Sequence, residues 1–147
     1  MQALRYSLLL IVVSFFLGSC AEDNDLSTNP LTGSWRIVMV QNGGGAQEVF
    51  SPETEVIEMV FSDNGQFSGA TSVNQFSGRF EASNGIMTML EFTTTEVADT
   101  TFAAAFYNAI GEAQLPNTTF AIFSMILNGD ALELGFGDEG RLSLERS

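Results

Sequence analysis

The sequence predicts an α+β fold that is mostly β: a strongly curved antiparallel sheet or partial barrel with one short helix packed on it. Three observations lead there. Turn chemistry recurs at Asp63-Asn64-Gly65, Ser83-Asn84-Gly85 and Asn128-Gly129-Asp130, and tight hairpins need residues that tolerate positive φ between apolar runs. From Gly65 to Met89, glycines and aromatic residues recur at strand spacing, with Phe67, Phe76 and Phe80 interleaved with Gly69 and Gly78. A glycine inside a strand marks a bend or a place where a ring crosses the backbone. At Asp99 the apolar spacing changes to four, with Phe102, Phe106 and Ile110 in register, which is the period of one face of a helix.

The elements follow in order. Leu31 to Val40 reads as the first strand, entered through Gly33 and carrying Trp35 as a core anchor. Asn42-Gly43-Gly44-Gly45 breaks it, and an irregular connection runs through Ser51-Pro52. Glu55 to Ser62 reads as a central strand, because Val56, Ile57, Met59, Val60 and Phe61 are too dense for strict alternation. Asp63-Asn64-Gly65 signals a type I′ hairpin into the two glycine-punctuated strands, and Ser83-Asn84-Gly85 leads to a strand over Ile86 to Thr93. Asp99 is the expected N-cap of the helix, Gly111 its expected end, and Pro116 forbids continuation. Asn117 to Leu127, Ala131 to Phe136 and Arg141 to Glu145 complete the set. Phe67, Phe76, Phe80, Phe120 and Trp35 are the aromatic residues expected to meet in the core.

All 18 acidic residues, and four of the five basic ones, lie beyond residue 20; the basic residues are all arginine and histidine is absent. Such a balance excludes nucleic acid as a partner, since each phosphate contact needs a cation to displace counterions. Residues 1–19 have the form of an export signal: Arg5 ahead of an apolar run, Ser7 to Leu17, that is too short for a permanent span. Leu17-Gly18-Ser19-Cys20 resembles the bacterial lipobox. The resemblance implies cleavage between Ser19 and Cys20, with a diacylglyceryl group and an N-acyl chain on Cys20 as the only attached groups and no other cofactor. Residues 20–30, with Glu22, Asp23 and Asp25, read as a flexible acidic tether, and the folded domain spans 31–147. Ala21 is not the aspartate that resembles an inner-membrane retention signal, so the expected location is the bacterial outer membrane. Either the periplasmic face or the cell surface fits, since the acidic run resembles an export signal of some surface lipoproteins.

Gly33-Ser34-Trp35, the run Val73-Asn74-Gln75-Phe76-Ser77-Gly78-Arg79-Phe80, Thr95 to Asp99 before the helix and Asn128 to Leu134 together resemble the META domain family, the HslJ-like proteins. The resemblance covers Leu31 to the C-terminus. It implies a small envelope domain with a curved sheet and a helix, without a defined activity, linked in some members to stress response. Its candidate ligand or structural residues are Trp35, Asn74, Phe76, Gly78 and Arg79. Many bacterial members carry cysteines at the places held here by Val73 and Asp99, so a disulfide or thiol role is not expected. A second resemblance, to bacterial lipocalin-like domains, rests on Gly33, Trp35 and a late arginine, Arg141 or Arg146, positioned to lie over the indole.

Chemistry is sparse. Without histidine, and with the single cysteine assigned to lipid, the usual bases and thiol nucleophiles are missing, so no catalytic residue is expected. The acid pairs Glu53 with Glu55 and Asp138 with Glu139 read as solvated surface. Asn128, Asp130 and Asp138 lack the ligand spacing of a calcium loop, and no metal is expected. Asp99-Thr100-Thr101 resembles an O-glycosylation site of some envelope proteins. Two functions remain: a lipid-anchored envelope module with a protein partner, or a carrier holding a small apolar ligand inside the sheet. A filled core favours the first, and a contiguous apolar cavity the second.

Overall fold

The computed structural model describes residues 29–147. The expected signal peptide, Cys20 and all but the last two residues of the tether lie outside the described residues. The elements are β1 (Gly33–Gln41), β2 (Glu48–Phe50), β3 (Ile57–Phe61), β4 (Gln66–Ala70), β5 (Gln75–Ser83), β6 (Ile86–Thr94), α1 (Thr101–Ala113), β7 (Ala121–Asn128), β8 (Ala131–Phe136) and β9 (Gly140–Arg146). From β3 to β9 each strand pairs antiparallel with the next, and β1 pairs with both β3 and β9. The sheet therefore closes into an eight-stranded barrel, which leaves no free edge around its circumference.

The short β2 is the element that the sequence did not disclose. The lower part of β1, Gly33 to Ile37, pairs with β3, and its upper part, Met39 to Gln41, runs past the end of β3 and takes β2 on that side instead. β3 lies between β1 and β4, as the central strand expected, but its burial alternates strictly. Ile57, Met59 and Phe61 point inward while Val56, Glu58 and Val60 are exposed, because a barrel strand with two neighbours still has one face on solvent.

Curvature comes from reciprocal pairs of glycine and phenylalanine. Phe67 on β4 lies opposite Gly78 on β5, and Gly69 on β4 opposite Phe76 on β5. A Cβ on Gly69 would collide with the Phe76 ring, and one on Gly78 with the Phe67 ring and the Glu91 carbonyl. Each ring thus occupies the space its partner glycine vacates, and the hairpin bends sharply. A register shift between Arg79 and Phe80 against β6 adds to the bend.

The turns follow their local chemistry with one change of type. Asn84 and Gly85 both have positive φ, as a type I′ turn requires. At Asp63-Asn64-Gly65 only Gly65 does. There the Gly65 N–H donates to Ser62 O and the Ser62 N–H to Gln66 O, which is a three-residue loop with a glycine bulge.

Rings fill the interior. Phe61 meets Phe80 edge-on at 4.8 Å and Phe67 at 6.2 Å; Phe92 stacks on Phe76 at 5.6 Å and on Phe67 at 6.1 Å. Trp35, Met59, Met87, Met89 and Phe123 are buried among them. Phe120 does not join this core. It is 43% exposed, because Asn117 at positive φ and a Leu115–Phe120 turn delay β7 to Ala121.

The helix packs over the end of the barrel that holds the β1 C-terminus, the β4–β5 turn and the β8–β9 turn. Phe106 reaches Phe76 at 5.1 Å, while Asn42 donates to Ala105 O and the Glu112 carboxylate accepts the Gly43 N–H at 2.7 Å. Its start and stop differ from the expectation. Thr100 is the N-cap and accepts the Ala103 N–H, and Gly111 lies inside a helix that continues to Ala113. Among the described residues no helix is long and apolar enough to cross a membrane.

Candidate functional site at the helix end of the barrel

Beneath the rim of the helix end lies a buried polar network centred on Asn74, which is 2% exposed. Its Nδ2 donates to Val97 O at 2.7 Å and to Asp99 Oδ2 at 2.9 Å, and its Oδ1 accepts from the Thr95 hydroxyl at 2.8 Å and the Val97 N–H at 3.0 Å. Both donors and both acceptor positions of the amide are thereby used, as burial demands. The Thr71 hydroxyl donates to the same Asp99 oxygen and accepts the Asn74 N–H at 3.0 Å. Next along the chain, Thr100 donates to the buried Glu55 carboxylate, whose backbone carbonyl accepts from the Ser51 hydroxyl at 2.7 Å.

Three loops and the first turn of α1 are thus tied into one hub: Ser51 to Val56, Thr71 to Asn74, and Thr95 to Thr100. Burial pushes the Asp99 carboxyl upward, but the hydrogen bonds from Thr71, Asn74 and the Thr100 N–H outweigh it and hold its pKa below the ordinary carboxylate value. Asp99 is spent on this hub, which is why the neighbouring hydroxyl caps the helix. The Thr100 hydroxyl of the glycosylation-like motif is likewise engaged at both its donor and its acceptor. Val73 and Asp99, where the resemblance implies cysteines, flank the point at which the β4–β5 turn is joined to the pre-helix loop, here by hydrogen bonds.

Next to hub residues along the chain are four exposed apolar side chains: Phe50 (64%), Val56 (52%), Val73 (53%) and Val97 (59%). Each is within one or two residues of a hub hydrogen bond, so their backbones are held by buried contacts while their side chains meet solvent. The exposed carboxylates of Glu53 and Glu96 belong to the same loops.

The other candidate residues are distributed around the barrel rather than gathered. Phe76 and Gly78 belong to the wall described above. Arg79 points outward to Glu91 at 2.8 Å; that hydrogen-bonded pairing raises the arginine pKa and lowers that of the glutamate. Trp35 lies toward the opposite end, with Nε1 donating to Leu31 O at 2.7 Å and the Arg146 guanidinium 4.4 Å over its ring. Of the two arginines proposed for that place, Arg146 takes it; Arg141 instead pairs with Glu48 at 2.6 Å. Arg146 also donates to Thr32 O and Pro30 O, which docks residues 30–32 against the C-terminal strand.

An open groove of about 630 Å³ crosses the outer face of β3 to β6, lined by Glu58, Ser68, Gln75, Ser77 and Thr93 among others. It lies outside the barrel wall, on the face of the sheet turned to solvent. Among the described residues no cluster of three or more His, Cys, Asp or Glu side chains is arranged to hold a metal. The hub escaped sequence reasoning except at Asn74 and Asp99. The expectation that Glu55 is solvated surface is overturned: it is 6% exposed and accepts from the Thr100 hydroxyl, while Thr71, Thr95 and Thr100 carry no signal of the hub beyond the habit of such residues to bond nearby backbone.

No curated protein matches the chain significantly. Among solved structures, an NMR structure of a protein from Burkholderia xenovorans is similar with a TM-score of 0.60 at 16% identity, covering 83% of this chain and 87% of that one. A further NMR structure gives a TM-score of 0.53 at 21% identity, covering 76% and 87%. These likenesses speak to the fold. The sequence model of the META domain matches residues 28–147, the whole barrel with its helix, and the chain therefore belongs to the META domain family.

Proposed function

We propose that this chain is a lipid-anchored protein of the bacterial outer membrane whose META barrel acts as a non-catalytic interaction or stress-response module. The observation that carries the reading is the filled interior: stacked and edge-on phenylalanines occupy the space that a carrier of a small apolar ligand would keep open. What the domain has to offer a partner is therefore on its outside. The polar groups of the hub are consumed by one another, which suits a scaffold more than a reacting centre. Anchoring rests on the lipobox-like Leu17 to Cys20, with acyl chains on Cys20 as the membrane contact and no other cofactor.

The test is fractionation of cells expressing Cys20→Ser together with labelling by a fatty-acid analogue. The variant is expected to lose both the label and its sedimentation with membranes. Unchanged membrane association would overturn the anchored reading. Native mass spectrometry of the folded domain addresses the carrier, since a stoichiometric co-purified lipid would favour that alternative over an interaction module.

A further inference from the structure

We infer that the rim formed by Phe50, Val56, Val73 and Val97 is the docking surface for a protein segment that carries lysine or arginine among apolar side chains. The inference rests on the reading of the domain as an anchored interaction module and names its partner's chemistry. Four apolar side chains exposed at the end of β2 and on the loops of one barrel end are not what folding alone requires, since nothing is gained by presenting them to water. Their loops are held from beneath by the Asn74, Asp99, Thr100 and Glu55 hydrogen bonds, so the surface is shaped before a partner arrives and less ordering entropy is lost on binding.

Charge selects the occupant. The four arginines among the described residues are all engaged with acids elsewhere: Arg36 with Glu145, Arg79 with Glu91, Arg141 with Glu48, and Arg146 with Asp130. At the rim, Glu53 and Glu96 are exposed, and among the described residues neither has a cation within ion-pair distance. A negative rim attracts a cationic segment and repels both an anionic bilayer and a second copy that would bring the same acids face to face. The exit of the chain agrees with this. Pro30 is bound by Arg146 at the opposite end, so a tether leaving there lets the rim face away from the membrane.

The test places a photo-crosslinking amino acid at Val97 in the full-length protein in its own cells, with Ile126, 62% exposed on β7, as the comparison site. Adducts are expected from position 97 and not from 126, the captured peptide is expected to contain lysine or arginine beside apolar residues, and Glu53→Lys/Glu96→Lys is expected to cut the yield at least about tenfold, the equivalent of about 1.4 kcal/mol. Glu53→Gln/Glu96→Gln provides a second variant in which both sites are merely neutral and the loss is smaller. An adduct with a second copy or with lipid, equal capture at both sites, or a yield indifferent to both charge changes would overturn the inference. Fractionation of Cys20→Ser is scored separately, so failure of anchoring and failure of the rim are told apart.

Discussion

At the helix end, closure uses a thirteen-residue helix and a hydrogen-bonded hub drawn from three loops, whereas at the far end one guanidinium covers one indole and ties the start of the domain to its last strand. The first arrangement consumes many polar groups to fix loops whose tips remain apolar and exposed. The second buries Leu31 and Trp35 completely and presents ordinary hairpin turns. The contrast separates two jobs that a small barrel has to do. The far end fastens residues 30–32 to the last strand, and the helix end is the face proposed above for a partner.

Removing the lid is expected to have the largest effect. Phe106 is fully buried and contacts the rings of Phe76, Phe92 and Tyr107, so Phe106→Ala should cost roughly 3–5 kcal/mol of unfolding free energy, read from urea denaturation. A melting midpoint equal to the parent's would mean that the helix end does not depend on its lid. The hub comes next. Asp99→Ala removes a charged acceptor of three hydrogen bonds and strands Thr71 and part of Asn74, for a loss of about 1.5–3 kcal/mol. Because the folded pKa of Asp99 is depressed, its contribution is fully present above its unfolded value of about 3.9 and fades as pH falls through the folded one. The stability gap between parent and Asp99→Ala should therefore be constant near neutrality and narrow progressively below about pH 4. A gap that widened on acidification would show that the carboxyl is destabilised in the fold.

The same contrast explains what could be read in advance. The strands from Gly65 to Met89 were legible because their signals are local: Asn-Gly turns, and glycines spaced to receive rings. The packing of Arg146 on Trp35 was legible, as a choice between two arginines, only through the resemblance to bacterial lipocalin-like domains. The hub was not. Glu55, Thr71, Asn74 and Asp99 come from three separate loops, and each alone satisfies a blander reading as surface acid, turn residue or cap. The three residues of β2 sit beyond a glycine run, and they form a strand only because β1 overshoots β3, a fact of tertiary geometry. Closure by β1 and β9, which joins Trp35 to Arg146, is equally long-range, so local pattern gave a curved sheet without deciding whether it closed.

The far end offers the smallest effect and the sharpest comparison. Arg146→Ala removes a cation–π contact worth about 0.5–2 kcal/mol, depending on how far it is desolvated, together with donors to two backbone carbonyls; its partner Asp130 is largely exposed and adds little. The expected loss is about 1–2 kcal/mol. Its location can be read directly, because Trp35 is the only tryptophan: emission should shift to the red as the uncovered indole meets water. Hydrogen exchange should accelerate at Trp35 and in residues 30–33, while the amides of α1 keep their protection, since the two closures share no side chain. If protection in α1 falls in step, the ends open together, and the barrel is a single cooperative clasp rather than a fastening and a separately held docking face.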